Sequence, residues 1–264
     1  LEGVWLNGAE TLKAFESRDT SALSEVCLLN VNGKVGLYRR KNAQLSQVAE
    51  LDILFPVLHG TFGEDGTIQG LFEILNCAYV GAGVLASAAC MDKAICKDLI
   101  HNAGIPVLPS RVFNRGQIEN YLEDVIALSE LVSEYPLFVK PANLGSSVGI
   151  SKARDREELR SALQKAARFD RRVLVERGLD AREIEVSVLG NDSPLVSVPG
   201  ELIPEDEFYT YRAKYLSGDP EVIIPAPFDT EMIQRIQEYA LRAYRAVDGA
   251  GLARVDFLMD KHSG

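Results

Sequence analysis

His59-Gly60-Thr61-Phe62-Gly63-Glu64-Asp65-Gly66-Thr67-Ile68-Gln69-Gly70 is the stretch on which the reading of this chain turns. It follows residues 53–58, a short apolar run with the pattern of a strand buried on both faces. The run breaks at one of only three histidines. Gly60, Gly63, Gly66 and two acids then lead into a helix expected at 67–75. In an open α/β sheet, ligands bind where strands end and helices begin, so a polar residue at this boundary is well placed for chemistry. The same spacing serves equally well a Gly-rich turn whose acids cap the next helix and whose histidine is incidental.

The chain of 264 residues is 47% hydrophobic, enough for a real core and for two or three subdomains. Its net charge of −10 argues against nucleic acid and anionic membranes as partners. An anionic ligand remains compatible if lysines are concentrated in one cleft. Cys27, Cys77, Cys90 and Cys96 contain no CxxC pair and fit neither a zinc site nor a disulfide framework. Free thiols in a reducing cytoplasm are the expectation. No run approaches the ~18 apolar residues of a membrane span. Leu1 in place of an initiator Met, and an end at Gly264 just after a strong strand, lead us to expect a fragment of a longer chain.

Outward from the opening motif, Asn32-Gly33 between apolar runs predicts a tight hairpin. A helix over 92–102 ends at Gly104, and its Lys93 and Lys97 lie on one face. Another helix is expected over 119–134, and short strands over 137–140 and 173–176. Asp155 to Glu158 makes a capping-box-like start for a helix with Leu159, Leu163 and Ala166 inward. Residues 184–189 and 195–198 read as an antiparallel pair. Residues 199–227 read as a long irregular stretch, of a length usual for lids or disorder. An amphipathic helix over 230–247 turns Ile233, Ile236, Ala240, Tyr244 and Val247 inward, and a strand over 251–259 follows. The order is α/β: an incomplete N-terminal unit over 1–88, then two α+β lobes over 89–179 and 180–264.

Four further clusters carry chemistry. Lys140 ends a strand, and Gly145-Ser146-Ser147-Val148-Gly149 follows; glycine N–H groups and hydroxyls suit phosphate oxygens, and the lysine supplies a point charge. It is not a P-loop, since GxxxxGK[ST] is absent, and a Gly/Ser loop is more often just a loop. The charged segment from Glu176 through Leu179 to Glu183 could equally be a hinge of surface ion pairs worth little. Tyr209, Tyr211, Lys214 and Tyr215 crowd the irregular stretch, where aromatic packing alone would also account for them. Arg254 and Asp256 project from one face of the last strand, ~7 Å apart, as a salt bridge would.

Taken together, HGxxGEDGxxQG and these four clusters closely resemble the signature of D-alanine–D-alanine ligases, members of the ATP-grasp superfamily. The resemblance covers about residues 52–260 and implies a Rossmann-like N-terminal unit followed by an ATP-grasp fold. It implies ATP-dependent ligation of two D-alanine molecules through an acyl phosphate, for peptidoglycan synthesis. By resemblance, Lys97, Lys140 and Lys214 touch the ATP phosphates, and the Ser146–Ser147 loop closes over them. Glu176 and Leu179 bind adenine, Glu183 binds the ribose, and Asp256 binds Mg2+ or Mn2+. His59 lies near the first D-alanine, Tyr215 bonds back toward Ser146, and Arg254 stabilises the oxyanion. Glu64 and Asp65 are expected to form the turn. The Lys214-Tyr215 ending favours an amino-acid acceptor, with D-alanine–D-lactate or D-alanine–D-serine ligation as the alternative. A non-catalytic ATP-binding fragment is the rival from another class. The partners expected are D-alanine and a second copy in a homodimer.

Overall fold

The computed structural model describes residues 4–145, 147–203 and 221–264. The chain divides into two compact units, residues 1–56 with 68–80, and residues 57–67 with 81–264.

In the first unit, β1 (Trp5–Asn7), β2 (Ser24–Val31), β3 (Lys34–Lys41) and β4 (Gln44–Glu50) form an antiparallel sheet in chain order, with α1 (Thr11–Ser17) between β1 and β2. The expected hairpin is present. Val31 pairs with Lys34, and Asn32 and Gly33 both take positive φ, 55° and 83°, the twist-matched turn that Asn-Gly favours. β5 (Ile53–Leu54) pairs in parallel with β6 (Ala78–Tyr79), with α2 (Thr67–Leu75) as the crossover. The strand expected over 53–58 is therefore shorter, and it is not buried on both faces: Ile53 is 59% exposed and Phe55 68%. Pro56 has no N–H for a ladder, and among the described residues only β6 pairs with β5.

The second unit contains α3 (Val84–Met91), α4 (Lys93–Asn102), β7 (Ser110–Asn114), α5 (Arg115–Asn120), α6 (Leu122–Glu130), β8 (Leu137–Pro141), β9 (Ser151–Ala153), α7 (Arg156–Phe169) and β10 (Arg172–Arg177). Its first sheet has the order β7-β10-β8-β9, all antiparallel. One face packs on α5, α6 and α7 through Phe113, Val139, Val173 and Val175 against Ile118, Ile126, Leu159 and Leu163. The start of α7 behaves as its sequence dictates: Asp155 accepts from the Glu158 N–H at 2.8 Å. The single helix expected over 119–134 is instead two helices broken at Tyr121, which takes φ −137°. Beside the break, Asn120 Nδ2 donates to the Gly116 carbonyl at 2.8 Å and competes with the backbone bond of that turn.

The second sheet is centred on β11 (Ala181–Leu189), which pairs along its length with β15 (Leu252–Asp260). Its other edge pairs with β12 (Leu195–Val196) and β13 (Gly200–Ile203), and β13 with β14 (Glu221–Ile223). Part of the stretch expected to be irregular is thus strand. The two strands lie far apart in sequence, and prolines flank β13, so no short-range alternation announces them. Arg182 donates from Nε and a terminal nitrogen to both Glu201 oxygens at 2.6 Å and lies 4.1 Å above the Phe228 ring. α8 (Thr230–Ala246) starts at Asp229, which accepts from the Met232 N–H at 2.8 Å. It buries Ile236, Ala240 and Tyr244 against Ile184, Val186 and Val188. Among the described residues no helix is long and apolar enough to cross a membrane.

β15 begins at a tight approach. Gly251 has φ +75°, and a Cβ there would stand 2.2 Å from the Gly81 carbonyl oxygen. Gly251→Ala should destabilise the protein by about 2 kcal/mol or more, from left-handed strain plus the clash. Denaturant unfolding measures this; an unchanged midpoint would mean that the approach is not fixed.

Candidate functional site

Strand alternation builds the site. Leu137, Val139, Val173 and Val175 turn into the core, so Phe138, Lys140, Leu174 and Glu176 share the opposite face of β8 and β10. Glu176 is only 4% exposed. Lys140 donates to its Oε1, and Lys97 Nζ lies 3.0 Å from its Oε2. Lys97 also donates to the Leu108 carbonyl at 3.2 Å. Burial pushes the Glu176 carboxyl up, but Lys140 and Lys97 outweigh it and hold the group below the usual glutamate range. A carboxylate this buried is tolerated because it is paired on both oxygens.

Two lysines that the sequence reading did not single out as ligands join this face. Lys93 donates from Nζ to the Leu144 carbonyl. Burial foremost, then the charge of Lys140, lowers its pKa to about 8. Lys152 stands opposite Phe138 in the β8–β9 register, and its Nζ lies 6.0 Å from the centre of that ring. Lys140 lies 5.6 Å from the same centre. Four lysines thus gather in a chain of net charge −10. The shared helix face of Lys93 and Lys97 was a usable signal; the register that brings in Lys152 left none.

The α4 end of the site is fixed by Asp92. It is 5% exposed, caps the Ala94 and Ile95 N–H groups at 3.2 Å, and pairs with Arg172 at the start of β10. The glycine loop is held at Ala142, whose N–H reaches the Arg172 carbonyl at 3.0 Å and whose carbonyl accepts from the Lys93 N–H at 2.9 Å. Asn143 N–H donates to Asp170 at 2.6 Å. Ser147 takes φ +58°. A Cβ on Gly145 would stand 2.9 Å from the Gly60 Cα, so the two glycine motifs meet backbone to backbone. In the His59 turn, Glu64 accepts from the Gly60 N–H at 2.5 Å. Asp65 accepts from Phe62 at 2.9 Å and from Thr67 at 3.0 Å. Both acids therefore build the turn. His59 itself is exposed.

On β15, Ala253, Val255 and Phe257 pack toward α8, which leaves Arg254 and Asp256 on the other face. They form a two-bond pair at 2.7 and 3.0 Å. Glu185, directly across β11 from Asp256, lies 3.4 Å from Arg254. The Asp256 hydrogen bond foremost, with Glu185 and Glu64 adding their fields, raises the Arg254 pKa. Asp256 and Glu185 offer the oxygen donors a hard dication takes. Among the described residues, however, no group of three such side chains stands ready to hold a metal. The donors fit in kind, and those described are too few on their own.

The link from β10 to β11 is pinned on each side of Leu179. Gly178 N–H donates to the Pro136 carbonyl at 2.9 Å, and the Asp180 carbonyl accepts from Lys261 at 3.0 Å. Among the described residues nothing takes the backbone groups of Leu179 itself. Glu183 sits on β11 two residues before Glu185, on the same face. The structure thus brings Lys97, Lys140 and Glu176 together, and the His59 turn against the glycine loop. Arg254 and Asp256 pair with each other rather than joining the lysines. Ser146, Lys214 and Tyr215 lie outside the described residues.

Two family models match the chain, the D-ala D-ala ligase N-terminus over residues 1–82 and the D-ala D-ala ligase C-terminus over 99–264. The chain is 57% identical over 214 residues to the D-alanine–D-alanine ligase of Heliobacterium modesticaldum, covering 81% of this chain and 58% of that protein. It is 52% identical over 270 residues to that of Listeria monocytogenes, covering 98% and 72%. The chain spans 58–59% of the length of the first curated relatives it matches. Among solved structures it resembles the VanG D-Ala:D-Ser ligase of Enterococcus faecalis, with TM-score 0.80, 34% identity, and coverage of 98% and 74%. It also resembles the D-alanine–D-alanine ligase of Coxiella burnetii, with TM-score 0.74, 29% identity, and coverage of 97% and 66%. The α/β architecture with its two α+β lobes is accordingly an ATP-grasp fold, and the chain belongs to the D-alanine–D-alanine ligase family.

Proposed function

We propose that the protein joins two D-alanine molecules in an ATP-dependent reaction that supplies peptidoglycan precursors. The observation that carries this reading is the lysine cluster around buried Glu176, set beside a glycine loop that meets the His59 turn. A triphosphate needs concentrated positive charge next to converging N–H groups, and few other ligands would favour this arrangement. Bound ATP supplies the phosphoryl group that activates the first D-alanine carboxylate. Lys97 and Lys140, with Ser147, Ser146 and Lys214 from the family pattern, bind and orient the phosphates. Glu176 uses two of its oxygen lone-pair positions on lysines and keeps others for the adenine amino group. The unengaged backbone of Leu179 supports its place at the base, and Glu183 takes the ribose hydroxyls.

In this reading Asp256 and Glu185 hold Mg2+ or Mn2+, which would supply charge neutralisation. Arg254 bears on the oxyanion that forms when the second amine attacks the acyl phosphate. His59 and Tyr215 stand near the substrate. The lobes are 89–179 and 180–264, after an N-terminal domain over 1–88. A homodimer in the cytoplasm is the proposed setting; the four free cysteines agree with a reducing compartment. A second acceptor, D-serine, is kept in view because the VanG neighbour is a D-Ala:D-Ser ligase. Relatives above 50% identity are named for D-alanine, which favours D-alanine.

Mass spectrometry of the product decides between them. The protein given ATP, magnesium, D-alanine and D-serine should yield D-alanyl-D-alanine as the main product, with one phosphate released per dipeptide. A predominance of D-alanyl-D-serine moves it to the second class, and release of phosphate without any dipeptide removes the ligase reading.

Lys140 and Arg254 should differ in kinetics. Lys140 is in place before nucleotide arrives, so Lys140→Ala should raise the ATP KM about tenfold or more. Arg254 acts on charge that develops later, so Arg254→Ala should lower kcat about a hundredfold with little change in KM. Steady-state kinetics on both variants checks this, and the reverse pattern would contradict the assigned roles.

A further inference from the structure

The cysteines take no part in the proposed reaction, yet two of them form a pair. Cys90 stands next to last in α3, and Cys96 lies close to the start of α4. In one continuous helix, residues six apart stand about 9 Å apart along the axis and on different faces. Asp92 removes that separation. It closes α3 and caps α4 with φ −84° and ψ 101°, outside the helical range, so the chain bends between the two helices. The bend is held from both sides, because Asp92 accepts from Ala94 and Ile95 and pairs with Arg172. Across it the Cys90 and Cys96 thiols are hydrogen-bonded to each other. Sulfurs at that separation need only a small closure to reach the ~2.05 Å of a disulfide.

The two sulfurs are not equivalent. Cys90 is exposed and Cys96 partly buried. The hydrogen bond from Cys90 foremost lowers the Cys96 pKa; Lys97 and Lys93 add to it, while burial and Asp92 oppose. The same bond, with burial, raises the Cys90 pKa. One sulfur thus carries thiolate character beside cations, and the other is an accessible thiol in contact with it, the arrangement of an attacking and a resolving cysteine. Cys77, in contrast, is buried, and burial foremost raises its pKa.

We propose that Cys90 and Cys96 are a reversible oxidation site for hydroperoxides, closing to a disulfide that displaces the start of α4 and slackens the hold of Lys97 on Glu176. The Cys96 thiolate attacks one peroxide oxygen, the O–O bond breaks, and hydroxide leaves a sulfenic acid on Cys96. The Cys90 sulfur then attacks the Cys96 sulfur. The S–O bond breaks, and the departing hydroxide takes the Cys90 proton as water. In sum two thiols lose two electrons and two protons, and hydrogen peroxide becomes two waters. A small dithiol reverses the bond by exchange and is itself oxidised to a disulfide. The closed loop is short, so the bond adds little stability and stays easy to reduce. Lys97 follows Cys96 directly, and its Nζ lies 3.0 Å from Glu176. A pull on Cys96 toward α3 is therefore felt at Lys97. The effect on nucleotide rests on the reading proposed above; the disulfide itself does not.

Two readouts on the peroxide-treated protein test this. Peptide mass spectrometry without reductant should find Cys90 joined to Cys96, with a mass two hydrogens lower, and the link should vanish with dithiothreitol. Cys90→Ser should stop at the Cys96 sulfenic acid, which dimedone captures, and Cys96→Ser should form no link. Calorimetric titration with the non-hydrolysable analogue adenylyl imidodiphosphate plus magnesium gives the second readout. Oxidised wild type should bind it about tenfold more weakly than reduced, the loss of one charged contact, and dithiothreitol should restore it. Peroxide should leave the affinity of Cys96→Ser unchanged. Thermal unfolding of the reduced variants shows that both are folded. Peroxide that leaves Cys90 and Cys96 unlinked, or joins either of them to another cysteine, overturns the oxidation site. A Cys90–Cys96 link with unchanged affinity overturns the displacement of α4. Failure of the reduced wild type to bind the analogue overturns the nucleotide reading instead, and the mass of the linked peptides still decides the disulfide.

Discussion

A carboxylate buried to 4% exposure is the constraint around which the site is organised. Glu176 can stay ionised there only while both oxygens are met by cations, and Lys97 and Lys140 meet them. Those lysines come from α4 and β8, and Glu176 from β10. The carboxylate therefore ties a helix and two strands to one point. The lysines are in turn held at defined positions before any ligand arrives, which is the condition for electrostatic stabilisation without reorganisation. The Asp92–Arg172 pair fixes the start of α4 against β10 by the same logic. A slip of one residue between β8 and β10 would turn Lys140 and Glu176 into the hydrophobic core, so the register of the sheet and the chemistry of the site are a single requirement.

The second lobe shows the complementary arrangement. Arg254 and Asp256 neutralise each other on an open strand face, with Glu185 alongside. Both are roughly half exposed, so their pairing is worth little to stability. A pair of this kind exchanges partners at low cost. Such freedom is what the roles proposed for Arg254 at the oxyanion and Asp256 at a cation require. The Lys–Glu–Lys cluster is preset by burial, whereas the Arg–Asp pair is available because it is not buried. Positioning in one lobe and adaptable charge in the other is the division of labour that the proposed carboxylate activation would ask for.

Much of this was legible in the sequence because it is local. Asn32-Gly33 demands a left-handed turn, Asp155 caps its helix, and the Arg254-Asp256 spacing puts both on one face. What was not legible is non-local. Residues 97, 140 and 176 are distant in sequence, and nothing in any one motif says that a glutamate in the third closes on lysines of the other two. Glu176 was expected at the adenine, and the structure shows it paired with Lys97 and Lys140. Lys152 joins only through the β8–β9 register. Residues 53–58 misled because apolar composition was taken for burial, although Pro56 already argued against a full strand. β13 and β14 escaped because strand pairing across the 199–227 stretch leaves no periodic trace in either segment.

The central claim is that the face of β8 and β10 around Glu176 receives a nucleotide triphosphate. A crystal structure of the protein with adenylyl imidodiphosphate and magnesium tests it most directly. The account predicts phosphate oxygens within hydrogen-bond reach of Lys97 and Lys140, the glycine loop of residues 145–149 against the phosphates, and the base hydrogen-bonded to the backbone of Leu179. Nucleotide bound away from this face, with both lysines still closed on Glu176 and no phosphate near them, would contradict it.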